Sequence, residues 1–156
     1  MDIVVVYDSI YGNTRTIAEA IREELSLGNE VRLASVQEAR ELDLTATDLL
    51  VVGSPTRGFR PTPHVSGYVE GLDRVAPGKL AAAFDTRIDL ETVRPEPLRW
   101  VIDVGGYAAS RIAASLERHG FVMKGGLAGF LVEGAEGPLK QGELERARDW
   151  ARNLLR

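Results

Sequence analysis

The stretch that decides the fold is Ile3-Val4-Val5-Val6-Tyr7-Asp8-Ser9-Ile10-Tyr11-Gly12-Asn13-Thr14. Ile3–Tyr7 is an unbroken β-branched and aromatic run, the pattern of a strand buried on both faces. From Thr14 the period changes. Ile17, Ile21 and Leu25 recur four apart with Ala18 beside them, while Glu19, Arg22 and Glu23 point away. That spacing predicts an amphipathic helix over Thr14–Leu25, lying on a sheet. A buried strand that passes through a short polar loop into such a helix opens a parallel α/β domain.

The rest of the chain repeats the alternation. Gly28 closes the helix, and Val31 and Leu33 mark a second strand. A short helix follows around Gln37–Leu42, and Leu49–Val52 is a third buried strand ending at Gly53. Val65, Tyr68, Val69 and Leu72 are spaced for a helix introduced by Pro61 and Pro63. Leu80–Phe84 is an alanine-rich fourth strand, and Ala108, Ala109, Ile112, Ala113 and Leu116 form a helical stripe closed by Gly120. Leu127–Val132 is a fifth strand, and Leu144, Ala147, Ala151, Leu154 and Leu155 line a last helix. The expected architecture is one α/β domain over residues 1–156: a five-stranded parallel sheet with helices on both faces. Two stretches break the rhythm, the charged and proline-containing Thr86–Gly106 and the glycine-rich Gly134–Gly142.

Composition narrows the function. The chain has 156 residues, 44% hydrophobic and 27% charged, with net charge −4. Those values are ordinary for a globular domain. Mild acidity argues against nucleic acid, whose phosphates demand a basic surface. No apolar run approaches the roughly 20 residues a spanning helix needs. The N-terminus lacks the basic segment of a signal peptide, and cysteine is absent, so a cytoplasmic setting without disulfides or thiolate chemistry is expected. With only two histidines, His64 and His119, a histidine-rich metal site is not expected. His64 reads as an exposed helix residue.

In open parallel sheets the ligand sits beyond the carboxyl ends of the strands. The segments to inspect are Asp8–Thr14, Gly53–Arg60 and Asp85-Thr86-Arg87. A helix N-terminus offers unpaired N–H groups and a positive dipole end, so the first loop suits a phosphate. Ser9, Asn13 and Thr14 add side-chain donors, and Gly12 allows close backbone approach. No Lys or Arg lies within Ser9–Thr14, so the phosphate would be held without a mandatory cation. A plain strand-to-helix turn, with Asn13 or Thr14 as N-cap, is the alternative.

Ser9, Ile10, Tyr11, Gly12, Asn13 and Thr14 resemble the phosphate loop of flavodoxins: a hydroxyl residue, two spacers, glycine, a small residue and threonine. Val52-Gly53-Ser54-Pro55-Thr56-Arg57-Gly58 is similar to the flavodoxin loop that touches the flavin ring. The resemblance implies a flavodoxin-like three-layer α/β/α sandwich and a flavin mononucleotide (FMN) cofactor. It assigns the phosphate to Ser9–Thr14 and the ring to Pro55, Thr56, Arg57, Gly58 and Phe59 with Asp85, Thr86 and Arg87. Phe59 would be one aromatic flanking the ring, and Trp100 or Tyr107 the other. The Arg57-Gly58 peptide is the candidate for a turnover on flavin reduction. Arg57, Arg60 and Arg87 would sit near the reduced flavin, or receive an anionic substrate or an acidic partner.

The implied function is electron transfer between redox partner proteins, by a monomer or weak dimer. The alternatives are an FMN-dependent NAD(P)H or quinone oxidoreductase, and a flavodoxin-like module without flavin. Other chemistries on the same topology lack their residues. There is no G-x-G-x-x-G, no Walker A loop and no G-x-S-x-G elbow. A phosphoacceptor receiver would need an aspartate where Gly53 stands and a lysine near Glu133.

Overall fold

Every long apolar run becomes a strand in the computed structural model of the chain, which describes residues 1–73, 78–89 and 107–156. In order, the elements are β1 (Asp2–Tyr7), α1 (Asn13–Leu25), β2 (Glu30–Ser35), α2 (Val36–Ala39), β3 (Leu49–Pro55), α3 (Pro63–Glu70) and β4 (Leu80–Ile88). They continue with α4 (Ala108–Arg118), β5 (Val122–Met123), β6 (Ala128–Val132) and α5 (Glu143–Leu154). The sheet runs β2-β1-β3-β4-β5, and β6 also pairs with β4, all parallel. The order reverses between β1 and β3, which is where a doubly wound sheet opens a crevice.

The sheet therefore has six strands where five are expected from the sequence. The difference lies in the last lane. Leu80 and Ala81 pair with β5, whereas Phe84–Ile88 pair with β6. Lys124–Leu127 interrupts the lane, and Val122–Met123 is too short to give a pattern of its own. Pairing with β6 also carries β4 four residues beyond Phe84. Asp85, Thr86 and Arg87, expected in a loop, are consequently the end of a strand. Likewise β3 continues through Gly53 to Pro55, because Ser54 and Pro55 still pair with Asp85 and Thr86.

Parallel pairing buries both faces. Val4, Val6, Leu50, Val52, Ala81 and Ala83 face α2, α3 and α4 with Val65, Tyr68, Ile112 and Leu116. Ile3, Val5, Leu49, Val51, Ala82, Phe84 and Phe130 face α1 and α5 with Ile17, Ile21, Leu25 and Leu154. Phe84, Phe130 and Trp150 meet edge to face, their centroids 6.0 to 6.2 Å apart. Gly53 is required beside this cluster: a Cβ there would lie 2.0 Å from Cζ of Phe84. The short helix is four residues, not the six of Gln37–Leu42, and starts on a reciprocal Ser35–Glu38 capping box. Leu72 and Leu155 fall just outside their helices. No helix among the described residues is long and apolar enough to cross a membrane.

Candidate functional site

A cleft of about 320 Å³ opens at the carboxyl ends of β1, β3, β4 and β6. The β1–α1 loop forms one wall through Ser9, Ile10, Tyr11, Asn13 and Thr14, and the segment Pro55–Gly58 forms a second. Thr86, Arg87 and Ile88 make the floor, with Val132 and Ala135 behind. Among the described residues no Asp or Glu lines it. A larger hollow, about 730 Å³, lies between α2 and the end of α3, lined by Leu42, Leu44 and Tyr68. It sits beside Thr45 and Lys79, near the amino-terminal ends of β3 and β4. The topological rule for open sheets therefore selects the smaller cleft.

The β1–α1 loop is built around Gly12, whose φ of 94° places it in the left-handed region. Gly12 itself is the N-cap of α1, so neither Asn13 nor Thr14 takes that place. Ser9 Oγ accepts the N–H groups of Gly12 at 3.0 Å and Arg15 at 3.4 Å. The N–H groups of Ile10, Tyr11, Asn13 and Thr14 have no acceptor among the described residues. Four backbone donors at a helix start, with a serine hydroxyl among them, form a cradle for a phosphate's oxygens. Arg15 is turned to Glu19 at 2.9 Å.

Two of the expected side-chain donors are engaged within the protein. Asn13 Nδ2 donates to Glu136 O at 3.1 Å, which ties the loop to the segment after β6. Thr14 Oγ1 and Thr86 Oγ1 share one hydrogen bond of 2.8 Å, both residues nearly fully buried. Two hydroxyl protons serve one mutual bond, so one remains to donate elsewhere. Behind the loop, Thr62 Oγ1 donates to Asp8 Oδ2 at 2.7 Å and Ser9 N to Asp8 Oδ1 at 3.0 Å.

The second wall ends in a tight turn. Arg57 N donates to Arg60 O at 2.8 Å and Arg60 N to Arg57 O at 3.0 Å. Gly58 and Phe59 both have positive φ, 55° and 68°. These are the angles of a type I′ turn. Thr56 fixes its base, with its N–H on Thr86 O at 2.9 Å and its Oγ1 accepting Ala108 N at 3.1 Å. Phe59 does not line the cleft. Among the described residues the aromatic ring that does is Tyr11, with Arg57 Cζ 5.8 Å from its centroid.

Asp85 is also absent from the cleft. Side chains alternate along a strand, so Thr86 faces α1 while Asp85 and Arg87 point to the α4 face. Asp85 is 0% exposed. Its Oδ1 accepts Arg87 Nε at 2.7 Å, and its Oδ2 accepts Arg87 Nη2 at 2.8 Å and Ala109 N at 2.9 Å. The Arg87 guanidinium stacks on Tyr107, 3.6 Å from its centroid, and packs against Gly129. Tyr107 is thus held by Arg87, and Trp100 lies outside the described residues. Three lining residues, Ile88, Val132 and Ala135, were not expected. The strand-end rule that singled out the segments after β1, β3 and β4 applies equally to the end of β6 and reaches Val132. Ile88 was hidden because β4 reads as ending at Phe84.

A family model described as Flavodoxin matches residues 5–72. A curated flavodoxin of Aquifex aeolicus (strain VF5) is 48% identical over 90 residues, covering 54% of this chain and 49% of that protein. The chain thus matches about half the length of this relative. Among solved structures, oxidised Flavodoxin 2 from Bacillus cereus aligns with TM-score 0.75 at 21% identity, covering 99% of this chain and 98% of that one. Oxidised Flavodoxin 1 from the same organism aligns with TM-score 0.73 at 15% identity, covering 99% and 97%. A flavodoxin from the domain Archaea gives 0.69 at 20% identity, covering 99% and 96%. The structural likenesses establish the fold.

Proposed function

We propose that this chain, a short-chain member of the flavodoxin family, holds FMN in the cleft above β1, β3, β4 and β6 and carries electrons between redox partner proteins. FMN is the family's cofactor. One observation carries the reading: among the described residues, four N–H groups of the β1–α1 loop have no acceptor and no carboxylate lines the cleft. Bound FMN supplies reversible electron uptake at its ring system, and the protein supplies position and electrostatics.

The residues divide that work. The N–H groups of Ile10, Tyr11, Asn13 and Thr14 meet the phosphate, joined by the hydroxyls of Ser9 and of the Thr14–Thr86 pair. Pro55, Thr56, Arg57 and Gly58, with Tyr11 and Ile88, shape the space for the ring. The Arg57-Gly58 peptide is open to reorientation, since Gly58 tolerates either sign of φ and a Cβ there would meet nothing within 4 Å. Phe59 borders the ring from outside the cleft, and Asp85 acts only through Arg87. The proposed setting is the cytoplasm, with the protein acting as a monomer or weak dimer.

The experiment is a titration of purified protein with FMN, then reduction of the loaded protein. A carrier binds one FMN per chain, is reduced reversibly, and consumes NADPH only when a separate reductase is present. NADPH oxidation by the loaded protein alone would make it a self-sufficient oxidoreductase. A protein that does not take up FMN would have neither function.

A further inference from the structure

Arg57 borders the cleft, and Arg60 and Arg111 line a hollow of about 220 Å³ together with Arg118 and, among the described residues, a single acid, Glu70. Arg57 and Arg60 are the corner residues of the type I′ turn, held opposite each other by its two backbone bonds. Phe59 keeps this turn in a left-handed conformation, φ 68°, that a phenylalanine rarely adopts. Arg111 Nε donates to Phe59 O at 3.1 Å and so fastens the turn to α4. Strain of this kind persists only where the surroundings hold it, and here the bond from Arg111 to Phe59 O holds that side of the turn against α4.

Among the described residues none of Arg57, Arg60 and Arg111 makes an ion pair, whereas Arg146, Arg148 and Arg152 of α5 each pair with a carboxylate. Among the described residues cations outnumber acids on this face, three arginines to one glutamate around the hollow of Arg60 and Arg111. No Asp or Glu occurs from Gly53 to Val69 or from Tyr107 to Leu116. Asp85, beneath it, is buried and neutralised by Arg87. The patch stands out on a chain of net charge −4. Beside it, at the cleft mouth, Ile10, Tyr11 and Ile88 are 49%, 47% and 36% exposed. Glu133 and Glu136 lie exposed after β6, on the other side of the cleft.

We infer that Arg57, Arg60 and Arg111 form the docking surface for a redox partner whose own contact surface is carboxylate-rich. The inference rests on the carrier reading and names the partner's chemistry. An exposed apolar centre edged by charge is the anatomy of a transient protein interface. Complementary charge steers such a partner and fixes its orientation. The exposed glutamates opposite would repel an approach turned half round. Such attraction weakens with salt, because exposed charges are screened within about 10 Å at 0.1 M.

The test is a ¹⁵N–¹H NMR titration of FMN-loaded protein with hexaglutamate at low ionic strength, with hexalysine as control. Hexaglutamate is expected to shift Arg57–Arg60 and Arg111. The double variant Arg60→Gln/Arg111→Gln should weaken its binding about fivefold to tenfold. Arg111→Lys, which keeps the charge, should retain most of it. Shifts centred on Arg15 or Arg40, tighter binding of hexalysine to this face, or an unchanged double variant would overturn the inference. So would inorganic phosphate or a nicotinamide nucleotide shifting the same signals at lower concentration, which would make the face a small-anion site. FMN affinity, read separately by flavin fluorescence, distinguishes failure of the carrier reading from failure of this one.

Discussion

Replacing Arg87 by Gln should damage the fold far more than the flavin. Arg87 makes two charge-assisted bonds, 2.7 and 2.8 Å, to a carboxylate that is fully buried. Without it, Asp85 keeps a single N–H partner, that of Ala109. Breaking a buried pair by removing one member costs about 3–5 kcal/mol, because the remaining charge is uncompensated. In a domain of this size each kcal/mol moves Tm by about 2–4 °C, so Arg87→Gln should lower Tm by about 6–20 °C. Thermal and urea unfolding measure it. The double variant Arg87→Gln/Asp85→Asn should recover part of the loss, because the orphaned charge is gone. A loss below about 1 kcal/mol, or no recovery in the double variant, would refute the argument. The same geometry alters the reading of the three arginines near the flavin. The charge of Arg87 is cancelled in place, so Arg57→Gln should lower the potential of the last electron more than Arg87→Gln does.

Gly129→Ala should destabilise by about 1–3 kcal/mol, since its Cβ would lie 2.1 Å from Cζ of a guanidinium already pinned by Asp85 and Tyr107. In the Arg87→Gln background that penalty should shrink. Tyr68→Phe should raise stability by about 1–3 kcal/mol in urea unfolding, because the buried Tyr68 hydroxyl has no hydrogen-bond partner among the described residues. Burial pushes the Tyr68 phenol up to about 12. The unfolded chain then loses that proton first, so stability should fall from about pH 10 towards pH 12 in the native protein and less in Tyr68→Phe. Thr14→Val removes a hydroxyl from the Thr14–Thr86 pair and should weaken FMN by about 1–3 kcal/mol while leaving riboflavin nearly unaffected. Equal weakening of both ligands, measured by fluorescence titration, would contradict a phosphate role.

The sheet was legible because burial on both faces writes itself as unbroken apolar runs, as in Ile3–Tyr7 and Leu49–Val52. The cleft was legible because strand ends and a helix start are local features. What sequence reading could not reach were long-range pairings. The extension of β4 depends on β6, more than 40 residues away, and the two-residue β5 carries no period. The placement of Asp85 and Arg87 followed from taking them as loop residues. Once they are strand residues, alternation puts both on the α4 face, which takes Asp85 out of the cleft and leaves Arg87 at its floor, and only then does the spacing Asp-x-Arg read as a same-face ion pair. Phe59 was expected to flank the ring because the resembling flavodoxin loop carries an aromatic there. The backbone of a type I′ turn decides otherwise, and nothing in a lone Gly-Phe pair announces that turn.

The central claim is that backbone donors of the β1–α1 loop bind the phosphate of FMN. It is tested most directly by titrating the flavin-free protein with FMN and with riboflavin under identical conditions, reading the quenching of flavin fluorescence. The two ligands share the ring and differ in the phosphate. The account predicts one site per chain and FMN binding at least about 100-fold tighter, as expected when a doubly charged group gains several charge-assisted bonds. Equal affinities, or a preference for riboflavin, would show that the loop does not hold the phosphate.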